Sequence, residues 1–181
     1  MKNKINKRSN VRGKIGWVFA KMPSGVCDIA QTLQTVGDAF EQARNEYGGL
    51  GSPLVFTEKA LRKAADSPFK RPGEVLRHLK TLHRFAVLWA DGNRSIGMSW
   101  KAWFKQNGIN TYRPEVSQTS LGDYGNEYCC FYEGVRFVGE DHFTIGSGDA
   151  NTCLSIHFAP DLKRGKILVT HCGRHLSNTQ S

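Results

Sequence analysis

Long apolar stretches are missing from this 181-residue chain. No apolar run approaches the roughly 18 residues that cross a bilayer, so the sequence predicts no membrane partner. The apolar part of the N-terminus, residues 15–20, is too short and too broken for a secretory signal, and we expect a cytoplasmic protein. Internal repeats are also absent, which excludes a repeat architecture.

Cysteine pairs of the CxxC type are missing as well, although the chain has five cysteines, and we expect these thiols to be reduced and mostly buried. Cys153-x3-His157 and His171-x3-His175 imitate the spacing of zinc-finger ligands. However, side chains four apart converge on a helix and not on a strand. Because no acidic cluster accompanies them, the sequence predicts no metal and no cofactor, while a structural zinc stays open as an alternative.

Acidic residues are missing from the first fourteen positions, whereas the whole chain has a net charge of +9. Two interpretations remain open: a solvated tail, or a basic arm that follows a phosphate backbone and releases its counterions. The prediction of nucleic-acid binding adds three cations from a C-terminal hairpin. The predicted contacts are Lys2, Lys4, Lys7, Arg8, Arg12, Lys14, Lys163, Arg164 and Lys166.

Apolar residues recur every three or four positions in the first part of the chain, which predicts helices. We predict an amphipathic helix over 27–47 with Asp28 as its cap, and a second over 57–66 capped by Thr57. A third helix is predicted from 72 or 73 to about 89, and a short fourth over 99–107. Residues 1–25 are then a basic flexible arm, and residues 26–110 form a helical region.

Glycine, β-branched and aromatic residues dominate from residue 112 onward, and strand-length runs appear. These runs lie at 127–132, 135–139, 142–145, 152–159 and 166–172, with Glu133-Gly134 as a two-residue hairpin turn. Short consecutive strands joined by tight turns predict an antiparallel meander over 111–181. The expected fold class is α+β, with N-terminal helices packed on a C-terminal antiparallel sheet.

Four of the six histidines fall between residues 142 and 176. Histidine changes its charge nearest neutral pH, so this group indicates acid–base chemistry at the sheet. Strand alternation puts His157 on the face away from the helices, whereas His171 shares a side with Val169 and could equally be a buried structural residue. The predicted catalytic residues are His142, His157, His171, Arg174 and His175.

The hairpin motif LSIHFAPD…GKILVTHCGRHL, preceded by helices, resembles the RelE/ParE-type toxin superfamily. In that family a helical segment packs on one face of a small antiparallel sheet. The resemblance covers about residues 146–176. It implies a ribonuclease that uses basic and histidine residues near the C-terminal strand, here His171, Arg174 and His175, and it suggests an antitoxin as protein partner.

The expected function is therefore directed at nucleic acid, with RNA favoured over DNA: a metal-independent, RNA-cleaving effector of toxin type. A histidine would take the proton of the attacking hydroxyl, and an arginine would stabilise the charge of the phosphorane. Two alternatives stay open. One is a non-catalytic subunit that binds nucleic acid or protein and has structural histidines, and the other is a zinc-stabilised adaptor.

Overall fold

Helices precede strands along most of the chain in the computed structural model, which describes residues 33–179. The helices are α1 (Val36–Tyr47), α2 (Glu58–Ala65), α3 (Pro72–Asp91), α4 (Trp100–Gln106) and α5 (Gln118–Tyr128). The strands are β1 (Leu54–Phe56), β2 (Tyr112–Arg113), β3 (Cys129–Tyr132), β4 (Val135–Val138), β5 (Asp141–Gly146), β6 (Cys153–Asp161) and β7 (Lys166–Gly173). The predicted α+β class is confirmed.

A five-stranded sheet in the order β1–β7–β6–β5–β2 forms the centre of the fold. Strands β5, β6 and β7 make the predicted antiparallel meander. Strand β1 joins it in parallel to β7, with Leu54 opposite Ile167, so the sheet is mixed rather than purely antiparallel. Strands β3 and β4 form a separate hairpin, and the predicted turn residues Glu133 and Gly134 both have positive φ angles, 48° and 76°.

The hydrophobic core lies between the helices and one face of the central sheet. Leu154, Ile156 and Phe158 alternate along β6 and are all buried in this core, as strand periodicity predicts. Phe104 of α4 packs edge-on against Phe143 of β5, with ring centroids 5.0 Å apart. Among the described residues no helix is long and apolar enough to cross a membrane.

Helix α1 begins later than the sequence predicts. Thr35 is its N-cap: its side chain accepts a hydrogen bond from the amide of Asp38, and the Asp38 carboxylate accepts one from the amide of Thr35. The predicted helix over 27–47 is therefore confirmed over residues 36–47 and wrong over residues 33–35, which are not helical. Asp28 itself lies outside the described residues. By contrast, Thr57 caps α2 as predicted, and Ser99 is the N-cap of α4.

Helix α5 occupies a segment in which no helix is predicted, and it replaces the first two residues of the predicted strand at 127–132. Gly122 and Gly125 lower its helix propensity. The Lys59 ammonium of α2 compensates for this low propensity, since it donates hydrogen bonds to the carbonyl oxygens of Glu127 and Cys129 at 2.5 and 2.7 Å. Cations at a helix C-terminus are stabilising because the last carbonyl groups carry partial negative charge.

A β-bulge in β7 changes the face on which His171 lies. Phe158 pairs with Val169, whereas the preceding residue of β6, His157, pairs with His171. Thr170 is therefore an extra residue on β7. Because paired residues share a face, His171 joins His157 on the side of the sheet away from the core. The prediction that His171 shares the side of Val169 is therefore wrong, since simple alternation fails across a bulge.

Candidate functional site

Three histidines stand side by side across the central sheet. His142 on β5 pairs with His157 on β6, which pairs with His171 on β7. The rings of His142 and His157 stack with centroids 4.6 Å apart, and the His171 ring lies edge-on to His157 at 5.7 Å. The His175 ring is 6.5 Å from that of His142. We call these four residues the histidine cluster.

Backbone carbonyl groups fix the tautomer of every ring in the histidine cluster. A carbonyl oxygen can only accept, so the nitrogen beside it carries the proton and the other nitrogen of the neutral ring keeps its lone pair. These bonds run from His142 Nδ1 to Glu140 O (2.9 Å), His157 Nδ1 to Gly139 O (2.8 Å), His171 Nε2 to Arg174 O (2.9 Å) and His175 Nδ1 to Leu176 O (2.9 Å).

Three members of the histidine cluster are buried, whereas the fourth is partly exposed. His157 and His171 are only 1% and 3% exposed, and His142 is buried beside them. Removal from water lowers the pKa of all three rings, well below the usual value for His157 and to about 4 for His171. They are therefore uncharged at neutral pH. His175 is half-buried, so it remains accessible to a ligand.

A cleft of about 1020 Å³ opens beside the cluster, lined by α2, α5, the segment after β7 and the loop between β5 and β6. His171, Arg174 and His175 belong to its lining, whereas His142 and His157 lie outside it. The structure thus groups the four predicted histidines on one face. Three of the five predicted catalytic residues line the cleft, and two of these, Arg174 and His175, are accessible to a substrate.

Two cations of the cleft are without partners. Lys63 of α2 and Arg174 are exposed, and within residues 33–179 neither side chain has a hydrogen bond or an ion pair. Lys59 also lines the cleft, but its ammonium group is bound to the carbonyl groups at the end of α5. Lys63 and Arg174 are therefore the cations that an anionic ligand could engage.

Three carboxylates line the same cleft, so its charge is mixed rather than polybasic. Glu127 accepts hydrogen bonds from the amide and the hydroxyl of Ser177 at 3.0 and 3.1 Å. Asp149 accepts from the amide of Asn151 at 2.9 Å. The third carboxylate, Asp66, is exposed at the end of α2. An arrangement of this kind suits a ligand with both anionic and hydrogen-bonding groups.

The segment after β7 is irregular in backbone but firmly attached to α5. The Tyr128 hydroxyl donates to the carbonyl oxygen of Ser177 at 2.6 Å, and the Glu127 carboxylate accepts a hydrogen bond from the amide of Ser177. The Leu176 side chain is buried against Tyr128 and Val116. These contacts fix the position of His175, which directly precedes Leu176, at the edge of the cleft.

No family model, curated protein or solved structure matches this chain. The RelE/ParE-type resemblance of the hairpin motif therefore stays a prediction.

The three predicted nucleic-acid contacts that the structure describes do not belong to the cleft. Lys163, Arg164 and Lys166 lie at the turn between β6 and β7, the opposite end of these strands from Arg174. Arg164 forms ion pairs with Glu133 at 2.9 Å and Asp161 at 2.8 Å, so its charge is already neutralised. The six predicted contacts of the basic arm, Lys2 to Lys14, lie outside the described residues.

Side chains for a metal ion do not converge in this region. Within residues 33–179 no three histidine, cysteine, aspartate or glutamate side chains are placed so that they could hold one. The stacking of His142 on His157, at an angle of 13°, is one reason, because lone pairs in near-parallel planes do not meet at a single ion. The four described cysteines, Cys129, Cys130, Cys153 and Cys172, are free thiols.

Sequence reasoning missed most residues that line the cleft, among them Lys63, Ser67 and Tyr124. Lys63 follows Lys59 at helical i, i+4 spacing, which predicts two cations on one face of α2. That signal was available. No sequence signal indicated Ser67 or Tyr124 as a site residue, because Ser67 lies in a proline-rich connection and Tyr124 lies in the unpredicted helix α5.

Proposed function

We propose that this chain is a nucleic-acid-directed effector that cleaves RNA in the cleft, with Lys63, Arg174 and His175 as its catalytic residues. One observation carries the proposal: an arginine without a partner adjoins a half-buried histidine whose Nε2 has no partner in the described part of the chain. Lys63, also without a partner, lines the same cleft. These are the residue types that phosphodiester cleavage by general acid–base chemistry requires.

The proposed reaction needs a base, a charge stabiliser and a proton donor. Nε2 of His175 takes the proton of the ribose 2′-hydroxyl, whose oxygen attacks the phosphorus atom. The guanidinium of Arg174 stabilises the negative charge of the phosphorane that forms. The bond to the 5′-oxygen then breaks, and the Lys63 ammonium can supply the proton that this leaving oxygen takes. The products are a 2′,3′-cyclic phosphate and a free 5′-hydroxyl.

The buried histidines act as positioning residues in this proposal. The Nε2–H of His171 donates to the carbonyl oxygen of Arg174, so it fixes the backbone that presents the guanidinium. His142 contacts the His175 ring edge-on. His157 supports both, since it packs between His142 and His171. The sequence-based prediction that all four histidines are catalytic is thereby narrowed to His175.

A second candidate function is binding without chemistry, and the burial of the histidines favours it. His142, His157 and His171 are uncharged and enclosed, so only His175 is available for proton transfer. The cleft would then hold an RNA segment or another phosphate-containing partner through Lys63 and Arg174. RNA cleavage products are expected for the catalytic function and not for binding without chemistry, so their detection distinguishes the two.

Induced expression of the chain in bacteria is expected to arrest growth, and His175→Ala should relieve the arrest because it removes the base. Loss of a general base typically costs about 100- to 10,000-fold in rate. His83→Ala is the matched control, since this half-exposed histidine stacks on Tyr47 in the helical part of the fold. Colony counts on inducing plates, with equal protein levels checked by immunoblot, give the result.

Growth arrest that His175→Ala leaves unchanged would contradict the catalytic proposal and favour binding without chemistry. Relief by His83→Ala to the same extent would point to a general loss of folding.

A further inference from the structure

Two of the five buried side-chain polar atoms without hydrogen-bond partners in residues 33–179 belong to residues that line the cleft. Ser67 Oγ and His171 Nδ1 are both enclosed, both belong to residues that line the cleft, and neither has a hydrogen bond. Buried polar groups nearly always have partners, because leaving one unpaired costs free energy. His171 is 3% exposed, so this is a buried acceptor beside the cleft and not a surface side chain. Both atoms fit a ligand rich in hydrogen-bonding groups.

An aromatic ring stands at the same cleft. Tyr124 is 37% exposed and lines it together with Glu127. Its backbone, at φ −125° and ψ 17°, departs from the helical values of its neighbours in α5, so the helix is kinked at this residue. The described residues give this ring no aromatic partner, and its exposed part can stack on the face of a nucleobase.

We propose that the cleft holds one unpaired nucleotide, with its phosphate between Lys63 and Arg174 and its base against Tyr124. The inference rests on the proposed function, because it names the part of the RNA that this site binds. The carboxylate of Asp66, the hydroxyl of Ser67 and the free nitrogen of His171 then face the polar edges of the base and the sugar.

The charge pattern excludes a paired duplex from this role. A duplex carries one negative charge for about every 1.7 Å of its axis and is bound by extended rows of cations. Here two cations without partners stand among the three carboxylates Asp66, Glu127 and Asp149, an arrangement that accommodates one phosphate and repels a continuous row. In a duplex the base faces are also covered by their neighbours, so Tyr124 could reach a base only if it were unstacked.

The test compares the full chain and two Tyr124 variants by fluorescence anisotropy with uncleavable probes. The probes are a labelled 2′-O-methyl oligouridylate of about twelve nucleotides and the same strand annealed to its complement. We expect the single strand to bind about 10-fold or more tightly than the duplex. Tyr124→Leu should weaken its binding about 10-fold, the loss of one stacked base, whereas Tyr124→Phe should retain it because the ring remains.

Equal affinity for both probes, or equal affinity of Tyr124→Leu and the unaltered chain, would overturn the inference. Since Tyr124 is half-exposed, both variants are expected to keep the melting temperature of the unaltered chain, and the Phe variant controls for the backbone. These probes cannot be cleaved, so the result is independent of catalysis. Single-strand preference without RNA cleavage would support the unpaired-nucleotide site and contradict the proposed ribonuclease function.

Discussion

Replacing Arg174 with alanine is expected to lower the kcat of RNA cleavage by about 100- to 1000-fold, the cost of removing one preorganised donor from a developing anion. The dissociation constant of an uncleavable RNA should change by a smaller factor, because Lys63 still binds the phosphate. Arg174 is exposed and has no partner within the described residues, so its loss leaves no packing defect. Single-turnover kinetics separate the rate from the affinity.

Arg174→Lys is the matched variant, since it keeps the charge but not the planar fork that binds two phosphate oxygens. We expect its rate to lie between those of Arg174→Ala and the unaltered chain. A kcat that alanine leaves unchanged, with only the dissociation constant raised, would assign Arg174 to binding and not to catalysis.

Acidification from pH 7 to pH 5 is expected to lower the free energy of unfolding by about 2–4 kcal/mol. Burial lowers the pKa of His78 and of His171 to about 4, whereas an unfolded histidine titrates near 6.5. At pH 5 the unfolded chain therefore binds protons that the native protein excludes, and stability falls as the pH falls. Each of these two residues contributes about 2 kcal/mol at pH 5, and His157 acts in the same direction.

One carboxyl group works against this loss. Burial raises the pKa of Asp141 to about 6, although the hydroxyl of Tyr112 donates to it. The native protein thus takes up a proton at Asp141 that the unfolded chain does not bind until lower pH, which returns about 1 kcal/mol at pH 5. The buried histidines His78, His142, His157 and His171 together outweigh one carboxyl group, so the net change remains a loss.

Urea unfolding at pH 7, 6 and 5 measures this change. His78→Gln should make the pH dependence shallower by about 2 kcal/mol, because glutamine cannot be protonated and its amide can still donate to the Glu74 carbonyl. His83→Gln is the control: its ring is only half-buried, so its removal should change the slope less. A free energy of unfolding that stays level or rises between pH 7 and pH 5 would show that the buried histidines are charged in the native protein.

Local sequence signals predicted the elements that have strong periodicity or clear caps. The amphipathic pattern of α3 and the cap Thr57 are of this kind, because both are set by residues close together in the chain. Strand β1 could not be predicted, since three residues are too few to show a periodicity. Their strand conformation depends on pairing with β7. Helix α5 was not predicted because its glycines lower its helix propensity. A lysine of α2, distant in the chain, stabilises its C-terminus by binding the last carbonyl groups.

The candidate site was predictable in residue type but not in geometry. Four histidines on neighbouring strands were visible in the sequence, and the structure groups their rings on one face. Which of them are buried depends on the bulge at Thr170 and on the β3–β4 hairpin and C-terminal segment, which are long-range features. The cleft adds Lys63 and Tyr124 from two helices, and no pattern near the histidines points to them.

The most direct test of the ribonuclease proposal is to incubate the purified full chain, with a chelator present, with a labelled RNA and with the DNA of the same sequence. The proposed mechanism predicts that RNA is cut, that the upstream fragment ends in a 2′,3′-cyclic phosphate by mass spectrometry, and that DNA stays intact for lack of the 2′-hydroxyl. His175→Ala protein, prepared in parallel, should leave both strands whole. Intact RNA, or equal cleavage of RNA and DNA, would contradict a reaction in which His175 activates the ribose hydroxyl.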